Sequence, residues 1–144
     1  MSDKSERERV TNFDFFVGLV CTLARHYGYH QYLPHPRKSY EELHQRFAQA
    51  FQELLQRAFK QKLDVRFVIV LHPLHGDSRE ITDGIAHLIC SGLLVQEVPE
   101  GSLRFTQWAS QMSLAHIPGS DELWDGLAEV FWEDLVVRVA RAET

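Results

Sequence analysis

The sequence predicts an α+β fold, with helices packed around a small three-stranded sheet. Three observations carry that expectation. Residues 39–62 repeat apolar side chains at i, i+3, i+4 and i+7, the period of an amphipathic helix. Residues 64–71, DVRFVIVL, are β-branched and aromatic over a strand-sized length. Residues 77–106 read as a capped helix, a glycine stop, and two short strands about a turn at Pro99-Glu100-Gly101-Ser102.

Taken in order, residues 1–10 are charged and poor in apolar side chains, so an unstructured tail is expected there, with one domain over 11–144. Thr11 or Asn12 can cap the first helix, with Asp14 in its first turn. Phe13, Phe16, Val17, Val20, Leu23 and Ala24 give it a core face, and Gly28 a stop. Pro34 and Pro36 forbid a regular helix in the link YHQYLPHPRK. Ser39 with Glu42 forms a capping box that opens the second helix, which runs to about Lys62. The continuous apolar run Val68–Leu71 predicts a strand buried on both faces. Asp77 is the expected cap of the third helix, with Glu80 completing its box and Gly92 ending it. Strands follow over Leu93–Val98 and Leu103–Trp108, then a short helix within 109–117. Ser120 caps a last helix from about Asp121 to Ala142.

The chain's 144 residues are enough to bury one core without disulfides or metal. Cys21 and Cys90 stand far apart in apolar settings and read as reduced core thiols. The polar N-terminus has no apolar stretch of a signal peptide, and no run approaches a membrane span. A cytoplasmic protein with no membrane partner is therefore expected. Charge is uneven. Residues 1–62 carry ten Lys+Arg against seven Asp+Glu, and residues 63–144 carry five against thirteen, so +3 and −8 give the net −5. That balance disfavours nucleic acid, which needs a concentrated basic footprint.

The segment IAHLICSGLLVQEVPEGSLRFT resembles the recognition helix and wing of winged-helix proteins: an apolar helix, Gly-Leu-Leu, an alternating strand, a short turn and a second strand. The resemblance covers about thirty residues, 77–106, and implies a fold rather than one family. It also implies two helices with a very short strand between them upstream. Here a full strand is expected directly ahead of the third helix instead. A winged helix most often binds DNA, yet this helix offers Glu80 and Asp83 beside Arg79, and the wing offers Glu97 and Glu100 against Arg104. Without basic groups the phosphate attraction is missing, so protein contact is the better expectation.

No nucleophile motif, phosphate loop or dinucleotide fingerprint occurs, so neither an enzyme nor a cofactor is expected. Among eight histidines, His72 and His75 with Asp77 in LHPLHGD could hold a metal through imidazole and carboxylate ligands. The alternative is a turn shaped by Pro73 and Gly76. His26 and His30 have helical metal spacing, which Gly28 between them disrupts.

The last helix points most directly to function. Leu123, Leu127, Val130, Phe131, Leu135 and Val139 make one inward stripe, and Trp124, Trp132, Val136 and Val137 lie beyond it. Such width implies either a partner surface or a central position between the first two helices. The leading expectation is a non-enzymatic association module, as a homo-oligomer or a small subunit, acting through Trp124, Trp132 and Val136. One alternative is a nucleic-acid-binding regulator using Arg37, Lys38, Arg46, Arg57, Lys60 and Lys62. Another is a metal-dependent enzyme or sensor at His72, His75 and Asp77.

Overall fold

A computed structural model describes residues 8–28, 31–33, 36–97 and 101–132. The elements run β1 (Glu8–Val10), α1 (Asn12–Tyr27), α2 (Pro36–Lys60), β2 (Leu63–Val65), α3 (Arg79–Cys90), β3 (Leu94–Glu97), β4 (Ser102–Phe105), α4 (Gln107–Gln111) and α5 (Asp121–Trp132). The class is α+β, as the periodicities predict. The strands differ in arrangement from the expected three-stranded sheet. They form a parallel pair β1–β2 and an antiparallel hairpin β3–β4. A third extended segment does lie beside the hairpin, but it is residues 31–33. Tyr32 bridges Arg104, Leu33 N–H donates to Leu103 at 2.9 Å, and Phe105 N–H donates to Gln31 at 3.1 Å.

The helix ends follow local chemistry. Thr11 caps α1 and shares a capping box with Asp14, and Gly28 ends it at φ 96. The second helix starts at Pro36 rather than at Ser39. Proline lacks an N–H that the first helical turn would leave unpaired anyway, so it opens a helix readily. Asp77 is not the cap of α3. Ser78 is, its hydroxyl accepting from Ile81 N–H at 3.3 Å. At the far end Leu93 N–H reaches Leu88 and Gly92 N–H reaches Ile89, with Gly92 at φ 80, so a Schellman turn leads into β3. The second hairpin strand stops at Phe105, because Thr106 caps α4 by accepting from Ala109 N–H. Ser120 caps α5, accepting from Leu123 N–H. The expected continuation of the last helix to Ala142 lies outside the described residues.

One core joins all layers. Phe15, Phe16, Leu19 and Leu23 of α1 meet Phe47, Phe51 and Leu54 of α2, and Leu127 and Phe131 of α5 close over them. Apolar burial of this kind supplies most of the folding free energy. Residues 8–10, assigned from composition to an unstructured tail, are ordered, with Val10 buried. Of the two cysteines, Cys21 is a core thiol, whereas Cys90 is exposed at the end of α3. No described helix is long and apolar enough to cross a membrane.

Candidate interaction surface

The strand expected over 64–71 pairs only over 63–65. Beyond that the chain stays extended and alternates. Phe67, Ile69 and Leu71 turn toward the core, and Arg66, Val68 and Val70 turn to solvent. Val68 and Val70 are 62% and 60% exposed, so the prediction of burial on both faces fails. The physical reason is that nothing among the described residues covers the outer face. Backbone pairing is sparse as well. From Phe67 to Leu71 the one backbone hydrogen bond among the described residues runs from Val70 N–H to Glu80 Oε1, at 3.2 Å.

Glu80 and His44 hold this strand and the following loop in place. Burial acts to raise the Glu80 pKa. The hydrogen bonds from Val70 N–H and the Ser78 hydroxyl, with Arg79 nearby, outweigh it and keep the carboxylate below its ordinary range. His44 is buried on α2, and its Nδ1 accepts from Ser78 N–H at 2.9 Å. Burial lowers its pKa against an opposing pull from Asp77.

Beside the strand lies a groove of about 530 Å³. Gln45, Ala48, Gln49 and Gln52 of α2 form one wall and Val68–Leu71 the other. The Oε1 of Gln49 is buried without a hydrogen-bond partner among the described residues. Along the same helix, Leu55 and Phe59 are 41% and 77% exposed, and past the strand Leu74 is 85% exposed. Leu55 and Phe59 fit the apolar period of residues 39–62 but are not core. The stripe is wider than the contact that α1 and α5 make with it, and its edge is left to solvent. No family model, curated protein or solved structure matches the chain.

The residues singled out from sequence fare differently. Trp124 is not at a surface. It is 3% exposed, donates from Nε1 to Pro118 at 3.1 Å, and lies over Gly18. The helix α5 sits between α1 and α2, and two neighbours absorb the apolar width that suggested a partner. Trp132 is half-buried, edge-on to Tyr27 at 5.3 Å with Arg46 over its ring. Val136 lies outside the described residues.

Of the basic set, four members have described side chains. Arg46 bonds Glu42 and the Phe131 carbonyl, and Arg57 bonds Glu53 beside Gly126. Lys60 and Lys62 are exposed at the end of α2, while the side chains of Arg37 and Lys38 lie outside the described set. At the proposed metal loop, His72 and His75 stack at 4.6 Å, and His72 Nδ1 accepts from the backbone N–H groups of Leu74 and His75. Asp77 contributes its carbonyl to His72 N–H. The loop is thus closed by its own backbone, and no group of three candidate ligands converges among the described residues.

Proposed function

We propose that this chain is a protein-association module built on a winged-helix-like plan. Its contact surface is the outer face of α2 with the extended segment 66–71, in place of α5. The observation that carries the reading is a groove walled by α2 and Val68–Leu71, with Val68 and Val70 exposed on one wall and Leu55 and Phe59 exposed further along α2. Single exposed apolar residues are ordinary, but a cluster of this kind marks a contact site. The winged-helix plan is supported by chain order: two helices flank a short extended segment that pairs with the last hairpin strand, and α3 precedes the hairpin. The long α2 and residues 61–78 are departures from that plan. Protein rather than DNA is favoured because Arg79 reaches toward Asp83 on the exposed face of α3, and Arg104 is held by Glu97 on the hairpin.

Capture from the native cell tests the reading. Proteins retained on the wild-type chain are expected to be lost on Phe59→Glu and kept on Asp83→Ala. Light scattering over a concentration series separates a second copy from a different partner. Equal capture by Phe59→Glu and wild type would refute this surface.

A further inference from the structure

We propose that the groove between α2 and the strand 66–71 receives an extended peptide of a partner protein, added as a strand to the open edge, with an acidic flank toward the α2–β2 turn. The inference rests on the association reading above and names what that surface takes. Sequence dictates a strand over 64–71, and the fold gives it the strand's alternation but no ladder past Val65. N–H groups along an extended chain point alternately to its two edges. Val70 N–H points to Glu80, outside the groove. The backbone groups of Phe67, Ile69 and Leu71 therefore point to the opposite edge, and Ile69 and Leu71 line the groove with Gln45, Gln49 and Gln52.

An added strand would meet donors and acceptors on both of its edges. One edge faces the open backbone. The other faces a row of amide side chains, each able to donate and to accept. Gln49 Oε1 is buried without a partner among the described residues, and a turn of its side chain into the groove would give it the N–H donor that it lacks. Main-chain bonds of this kind give affinity, and pockets for alternate side chains give selectivity.

Charge decides the occupant's flank. No residue lining the groove is charged, so the seated residues are uncharged. Beyond the Gln52 and Val68 end stand Arg66 and the exposed Lys60 and Lys62, against Asp64, which receives Arg66 and Arg9, and Glu8 opposite Leu63, while Glu53 is taken by Arg57. An acidic residue leaving the groove there meets net positive charge. A second copy pairing through the same edge would bring its own α2 against the Gln wall, whereas a bare peptide strand brings no helix.

Selection of displayed random peptides of about a dozen residues, long enough for one strand and its flanks, on the full chain tests this. Enriched sequences are expected to alternate apolar and polar residues without internal proline and to carry Asp or Glu on one flank. A synthetic representative should lose at least about tenfold in affinity on Gln49→Leu, which removes one buried acceptor, and on proline substitution in the peptide. Lys60→Glu with Lys62→Glu should abolish the acidic preference while leaving the fold intact by circular dichroism. Enrichment of helix-forming peptides, of none, or of peptides indifferent to Gln49→Leu would overturn strand addition. Those outcomes leave the association surface standing if capture still depends on Phe59, and sink both readings if it does not.

Discussion

His44 shows how one side chain can set the behaviour of a loop. Its Nδ1 must stay unprotonated to accept from Ser78 N–H, and Ser78 in turn caps α3. Burial lowers its folded-state pKa below the ordinary 6.5. The unfolded chain therefore takes up the proton first as pH falls. The contribution to stability is complete above about pH 6.5 and is lost as pH drops through the folded value. Urea unfolding between pH 7.5 and 5 should show this loss, and His44→Gln, which keeps an acceptor, should flatten it. An unchanged slope in the variant would remove His44 as the cause. Nothing in the sequence marked this residue, because a histidine in an amphipathic helix looks like any polar residue of its outer face. Its role depends on a contact with Ser78, thirty-four positions away. Trp124 misled in the opposite way. Its position off the main stripe was legible, but the second neighbour that buries it was not.

At the scale of elements, packing is closest where glycine lets two helices approach. A Cβ on Gly84 of α3 would meet the Phe16 ring of α1, and a Cβ on Gly18 of α1 would meet the Trp124 ring at 2.8 Å. Both rings are buried in a dense core and have little room to yield. Gly84→Ala should therefore lower stability by about 1–3 kcal/mol despite alanine's better helix propensity. A raised urea midpoint would show that α3 can shift outward at little cost. Helix positions and the hairpin were readable from period, caps and Gly92, since these are local properties. The start of α2 was misplaced because Ser39 and Pro36 both make good helix openings. The strand 66–71 was recognised as extended, yet its missing ladder was not foreseeable, as pairing depends on where distant backbone lies.

At the scale of the molecule, the parallel pair β1–β2 ties residues 8–10 to the segment that becomes the groove's wall. Val10 is buried where it pairs with Val65. Val10→Asp places a charge in that site and should destabilise by about 3 kcal/mol or more. Hydrogen exchange should then show lost protection at Leu63–Val65 before any loss in α5, and uniform loss would indicate that the sheet is not a separate unit of opening. The pairing has a further consequence during synthesis. Glu8 meets Leu63, so the strand emerging first from the ribosome waits through the making of two whole helices before its mate exists. In that interval Phe15, Phe16 and Leu19 have no sheet, no α3 and no α5 to cover them. Until α5 is made, that apolar face is open to chaperones and to aggregation.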